Sequence, residues 1–375
     1  MIGAAAIAWL AALAFFLTSA AAVLARRRRP ADAAPLPAAT IIVPIKGAAP
    51  ALARNLAALA ALEPFTGEII LAVADARDPA HAIAAPIRAA HPGRVRLLVG
   101  EAPEFANPKL RNVAKAYRAA RHELIVFFDD TVAVDAALLH ELLARLAGGA
   151  RAVTAAPLGC DARGLAAEIE AATCNGYLLR IEALLDLFGL AAGFGNAFAF
   201  RKSDLEAAGG FARLAEGPCE DNALSRALRG LGGRFALARR NAIRPIGTRP
   251  WRDLALRHLR WKNCTKCHDP VAFLFEIWIG GLAFNLLGAV ALAGLFGIAW
   301  WAALGIGAAV WYGGEALLSV AAGWPMTWRS PFAWILRDLV HPLLTVAAAF
   351  TRELEWRGAR IEMRWRWRWP RRARP

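Results

Sequence analysis

The chain has 375 residues, 58% of them hydrophobic, with 45 Lys+Arg against 30 Asp+Glu and a formal charge of +15. That apolar share exceeds the roughly 45–50% of ordinary soluble domains, and five cysteines in this length are sparse, which excludes a disordered chain, a collagen and a small disulfide scaffold. Only 6 of the 45 basic residues are Lys, so the richness in Arg and Ala reads as genome composition before it reads as chemistry.

Residues 1–25 carry no charge, and the apolar run from Ile2 to Leu24 matches the ~20 residues a helix needs to cross a bilayer. Arg26, Arg27, Arg28 and Arg29 follow it, whereas a cleaved leader carries its positive charges before the apolar run. A retained anchor is expected, with the N-terminus outside and the following chain in the cytoplasm. Residues 26–37 read as a basic Ala/Pro linker.

From 38 to 245 the chain alternates short β-type runs (40–45, 68–74, 94–99, 123–128) with helical ones (49–62, 79–90, 108–121). Near-continuous apolar strands between helices predict an α/β domain with a buried, mostly parallel, Rossmann-like sheet. No G-x-G-x-x-G follows the first strand, so the dinucleotide fingerprint is absent. Residues 177–200 are apolar, but Arg180, Glu182 and Asp186 predict an amphipathic helix against the sheet instead of a membrane span.

Ligands of such sheets sit at the carboxyl ends of the strands, where Asp75, Asp78, Asp129 and Asp130 fall. Hard carboxylate oxygens suit Mg²⁺ or Mn²⁺ bridging a diphosphate; Asp at a strand-to-helix turn could equally cap the next helix. Glu220-Asp221 opens a helix, which suits either a general base or favourable charge at the dipole. Residues 246–269 form a basic helix carrying Arg257, Arg260 and Trp261 on one face. Two guanidiniums there can grip a diphosphate, or the helix can lie on anionic headgroups of the bilayer.

The block 270–350 divides into apolar pieces at 272–299, 300–323 and 331–350. The first two are long enough to span. The third carries Arg337, Asp338 and His341, which leaves spanning, re-entrant and interfacial readings open. The Trp/Arg-rich tail, 351–375, suits a membrane surface on the cytoplasmic side, which disfavours a full third crossing. Glu315 within the second piece is expected to pair with a polar neighbour; a transport path is the competing reading. Cys264-x-x-Cys267-His268 matches a haem c attachment motif, but haem c is attached outside the cytoplasm, so no haem and free thiols are expected.

The ordered set Asp75, Asp129, Glu220-Asp221 and Arg257-His258-Leu259-Arg260-Trp261 resembles the D, D, D, (Q/R)-x-x-R-W pattern of family 2 and family 21 glycosyltransferases, and most of all the ceramide glucosyltransferase family. Asn107-Pro108-Lys109 is similar to that family's N-P-K element. Gly195-Asn196 with the strand after it resembles its acceptor side, and Trp356-Arg357-Gly358 its C-terminal W-R-G. The resemblance covers residues 1 to 360. Asp129-Asp130-Thr131 departs from D-x-D, which favours Asp129 as metal ligand; Arg257 replaces the Gln of polysaccharide synthases.

The resemblance implies a GT-A domain in a bacterial-type inner membrane, multi-pass, with a cytoplasmic active site. Asp75, Asp129, Asp130 and Lys109 would bind a UDP-sugar, Asp129 holding Mg²⁺ or Mn²⁺. Asp221 would be the base, Arg257, Arg260 and Trp261 would close the site, and Gly195, Asn196 and Glu220 would face the acceptor. The implied reaction is inverting transfer of glucose from UDP-glucose to a ceramide-like lipid. Transfer of another UDP-sugar, such as N-acetylglucosamine, to a hopanoid and a non-catalytic scaffold are the competing readings. Membrane lipids, not nucleic acid, are the expected partners of the positive charge.

Overall fold

A computed structural model of the chain describes residues 2–26, 37–49, 51–193, 196–215, 217–277, 280–356 and 359–365. The first apolar run is helix α1 (Ile2–Ala25). The α/β part opens β1 (Ala39–Ile45), α2 (Leu52–Ala60), β2 (Glu68–Val73), α3 (Pro79–Ala90), β3 (Val95–Val99), α4 (Pro108–Ala119), β4 (Leu124–Phe128) and α5 (Ala136–Ala147). It continues with β5 (Ala152–Thr154), β6 (Pro157–Arg163), α6 (Leu165–Ala172), a π-helical stretch (Thr173–Leu179), α7 (Arg180–Leu187), β7 (Ala197–Arg201) and α8 (Lys202–Ala207). Then come α9 (Glu220–Arg229), β8 (Phe235–Leu237), β9 (Ala242–Thr248) and α10 (Trp251–His268). The C-terminal block holds α11 (Pro270–Phe275), α12 (Gly281–Phe296), α13 (Trp300–Ala322), α14 (Ser330–Phe350) and a hairpin, β10 (Glu353–Trp356) with β11 (Ala359–Glu362).

Seven strands form one sheet in the order β3-β2-β1-β4-β7-β5-β8. β3, β2, β1 and β4 are parallel, and β7 runs antiparallel between β4 and β5. Every residue of β1 is buried, because both faces are covered. Ile41, Val43 and Ile45 pack with leucines of α2 and α5, while Ile42, Ile70 and Ile125 pack with Leu110 and Val113 of α4. That two-sided burial is why the strands read as continuous apolar runs. A separate parallel pair, β6 and β9, lies beside the acidic turn after β4, joined to it by the bridge Ala133↔Ile243.

Three helices, α1, α13 and α14, are long and apolar enough to cross a membrane. One expectation for this block needs correction. The piece 272–299 is not one continuous span: α11 stops at Phe275, and α12 restarts at Gly281 with 16 residues. Polar contacts lie on both sides of the break. Glu276 pairs with Lys262 at 2.5 Å, Asp338 accepts from the Gly281 amide at 3.0 Å, and a Cβ on Gly281 would sit 2.2 Å from Asp338 Oδ2. The third piece, in turn, is a full 21-residue helix.

Helix α14 is bonded to the α/β domain along its length. Ser330 Oγ donates to Glu168 at 3.3 Å, Arg337 Nη1 to the Ala172 carbonyl at 3.2 Å, and Lys266 Nζ to the Ala348 and Thr351 carbonyls at 2.6 and 2.5 Å. Its opposite stripe, Phe332, Ile335, Leu339, Leu343, Val346 and Phe350, is exposed. Glu315 pairs with Arg337 at 2.6 Å, as the pairing reading expects. Within 177–200 the expected helix is confined to α7, Arg180–Leu187, and β7 begins at Ala197; α7 does not face the sheet alone, for Arg180 lies 4.6 Å from the Phe16 ring of α1, while Asp186 accepts from the Leu237 amide of β8.

Candidate active site

A cleft at the carboxyl ends of β1 and β4 is lined by Pro44, Lys109, Phe127, Asp129, Glu220 and Asp221. Local capping explains how the sequence frees these side chains. Asp78 caps α3, accepting from the Ala80 amide at 2.9 Å and from Gly47 at 2.7 Å. Asp135 caps α5 through the Leu138 amide at 2.6 Å. The capping role open to Asp129 and Asp130 thus falls to Asp135. Asn107 caps α4, accepting from the Lys109 amide at 2.8 Å, with Pro108 in the first turn where its missing N–H costs nothing. Lys109 is thereby turned into the cleft.

Lys109 Nζ bridges two carboxylates, Asp129 at 2.8 Å and Glu220 at 2.6 Å. Burial alone would lower the ammonium's pKa, but Asp129 and Glu220 override it and raise it. For Glu220, burial pushes the pKa up and Lys109 pulls it further down, so it is held below the usual carboxylate range. Asp221 goes the other way: burial and the adjacent Glu220 charge push it up to about 6. The two neighbouring acids thus have their pKa values driven apart, Glu220 by its ion pair with Lys109 and Asp221 by burial and the Glu220 charge. The N-cap of α9 is Cys219, so Asp221 is not the cap. Asp221 Oδ1 accepts from the Asn222 amide at 2.8 Å.

Asp129 is also tied to the residue before β7, its amide donating to the Asn196 carbonyl at 3.2 Å. Asp130 is buried, its carbonyl accepting from Asn55 at 3.3 Å. Gly195, Arg357 and Gly358 lie outside the described residues. Asp75 pairs with Arg77 at 2.7 Å on the surface, and that guanidinium holds its pKa at about 2; no bond joins it to the Lys109 cluster. On α10, Arg260 is close enough for its charge to act on Glu220. Arg257 instead turns to Glu170 at 3.7 Å. Trp261 stacks on His258, ring centroids 5.0 Å apart, and the Arg244 guanidinium lies 5.5 Å from the Trp261 ring centroid.

Three features escaped the sequence reading. Glu170, Arg244 and Arg249 form a buried charge cluster beside α10, and nothing in their spacing groups them. Ser225 Oγ accepts from the Gly193 amide at 2.8 Å and donates to the Asp221 carbonyl at 2.8 Å, tying the loop before β7 to α9. The expected free thiols are corrected: Cys219 and Cys264 are disulfide-bonded, with Cα atoms 6.0 Å apart. They are 45 residues apart in sequence, and meet because α10 runs beside the start of α9. Cys264 is therefore bonded elsewhere than to a haem, and His268 Nδ1 meets Arg226 at 2.7 Å.

Among the described residues no three His, Cys, Asp or Glu side chains form a metal cage. The donor set nonetheless fits a hard divalent cation completed by a diphosphate, because Asp129 presents a partly exposed carboxylate in a position where a cationic group is already gathered by two acids.

The mannosyltransferase PcManGT from Pyrobaculum calidifontis, solved with GDP-Man and Mn²⁺, is 19% identical, with 93% of this chain and 98% of that one covered and a TM-score of 0.52. The fold is thus a GT-A glycosyltransferase fold, here with apolar helices at both ends. Ceramide glucosyltransferase 1 of Caenorhabditis elegans is 23% identical over 344 residues, covering 88% of this chain and 72% of the relative. The family model of glycosyl transferase family 21 matches residues 4–368, and the chain belongs to that family.

Proposed function

We propose that the protein moves glucose, with inversion, from UDP-glucose to the hydroxyl of a ceramide-like membrane lipid. The observation that carries this reading is Asp221: a buried carboxylate whose pKa is pushed up to about 6, beside Lys109 and Asp129 in the small cavity at the carboxyl ends of β1 and β4. Asp129, with Asp130 behind it, would hold Mg²⁺ or Mn²⁺ on the donor diphosphate. When bound, that cation supplies Lewis-acid stabilisation of the leaving charge.

Asp221 accepts the proton of the acceptor hydroxyl as its oxygen attacks the anomeric carbon; the bond from that carbon to the diphosphate oxygen breaks, and UDP departs. Lys109, Arg257 and Arg260 balance the charge that develops on it, a preorganised effect that is often the largest in such catalysis. Asp75 contacts the uridine side. Gly195, Asn196 and Glu220 border the acceptor, and Trp261 walls it. Ceramide glucosyltransferase 1 supports glucose and ceramide as the pair to test first.

Asp221→Asn keeps the shape and the bond to Asn222 but cannot take a proton. We expect a folded variant that binds UDP-glucose with wild-type affinity and transfers at least ~100-fold more slowly. A near-normal rate would move the base elsewhere, Glu220 being next.

A further inference from the structure

Glu170 on α6 is fully buried, and three guanidiniums converge on it: Arg244 at 3.1 Å, Arg249 at 2.7 Å and Arg257 at 3.7 Å. Burial would raise this carboxyl's pKa, but Arg244, Arg257 and Arg249 hold it below its usual value, so it is ionised at neutral pH. The neighbouring His258 is kept neutral, since burial holds its pKa at about 3. One carboxylate among three guanidiniums leaves positive charge in excess. Only Arg244 of the three is buried, Arg249 and Arg257 keeping side chains 17% and 28% exposed, and Arg244 also feels the charges of Asp129 and Asp130; an anion bound beside the acidic turn would meet guanidiniums already gathered there.

The fold says which anion is within reach. Arg244 is 4% exposed on β9. The residue before it is pinned to the acidic turn, the Ala133 amide donating to the Ile243 carbonyl at 2.9 Å. Its guanidinium, held on one side by Glu170, lies 5.5 Å from the Trp261 ring. Arg244 thus bridges the two halves of the donor site, the Asp129-Asp130 turn and the R-x-x-R-W helix.

We propose that Arg244, aimed by Glu170, is a further phosphate-binding residue, taking the diphosphate of a nucleoside diphosphate sugar beside Arg257 and Arg260. Glu170 is then a positioning residue. The inference rests on the donor reading above.

Titration calorimetry on the full chain in nanodiscs with Mn²⁺ would compare UDP with UMP. A diphosphate contact makes the ratio of the two affinities the readout, because a merely structural role would weaken both alike. Arg244→Gln should lose at least ~10-fold for UDP with UMP little changed, the loss of a charge-assisted contact. Arg244→Lys, which keeps the charge but not the fork, should lose part of it, and Arg88→Gln on exposed α3 should lose nothing. An unchanged UDP:UMP ratio in both Arg244 variants would overturn the proposal; should Arg244→Gln not fold, the ratio in Arg244→Lys decides. A wild-type protein that binds neither UDP nor GDP would instead overturn the donor reading, and this inference with it.

Discussion

Glu220 and Asp221 are adjacent in sequence, yet the fold gives them opposite chemistry. Lys109 takes Glu220 into an ion pair, while Asp221 is left with burial and a like charge. As a base, Asp221 works only when ionised, so kcat should rise with pH through about 6 and level off above it. Its folded pKa lies above the usual aspartate value, so its contribution to stability is complete below that usual value and is lost as pH rises through about 6. At pH 7 the charge is a net cost, and Asp221→Asn should melt no lower than wild type in a thermal scan. A clearly lower Tm would show that the charge supports the fold. The acids themselves were legible from their places after apolar runs. Which acid caps and which faces the cleft was not, because Asp75, Asp78, Asp129 and Asp135 all follow strands and only three-dimensional contacts sort them.

At the scale of elements, local signals carried far. Pro79 and Pro108 begin helices where the missing donor is harmless, and two-sided apolar strands fell within a residue or so of their bounds. What escaped depends on contacts between distant segments. The restart of α12 at Gly281 meets Asp338, 57 residues further on, and Glu276 after α11 meets Lys262, 14 residues back. The Cys219–Cys264 bridge follows from α10 lying beside α9. Alkylation of the unfolded, unreduced protein should therefore modify three thiols, Cys160, Cys174 and Cys267; five would deny the bridge. Cys264→Ser should lower stability by about 2–4 kcal/mol, the usual effect of removing such a cross-link, read as a fall in Tm.

At the scale of the whole molecule, α14 decides how the chain meets the bilayer. Its polar face is bonded to α6 and α10 from end to end, and its apolar stripe is free to lie in a leaflet. Although α14 is long enough to cross and α12, with 16 residues, is short for a span, we propose that α1, α12 and α13 cross, with α14 held in the plane of the membrane by its bonds to α6 and α10 and the tail on the side of the α/β domain. Reporters fused after Pro245 and after Pro375 should both read as cytoplasmic, and one at the N-terminus as exported. Opposite sides for Pro245 and Pro375 would make α14 a fourth crossing.

The central claim is the reaction. The direct measurement is incubation of the purified protein with UDP-glucose, a divalent cation and ceramide in nanodiscs, followed by mass spectrometry and linkage analysis of the lipid. The account predicts a β-linked glucosylceramide that forms with wild type, vanishes on chelation and is lost in Asp221→Asn. No glycolipid from wild type, with ceramide or with a hopanoid and with UDP-glucose or UDP-N-acetylglucosamine, would contradict it and leave a scaffold in place of an enzyme.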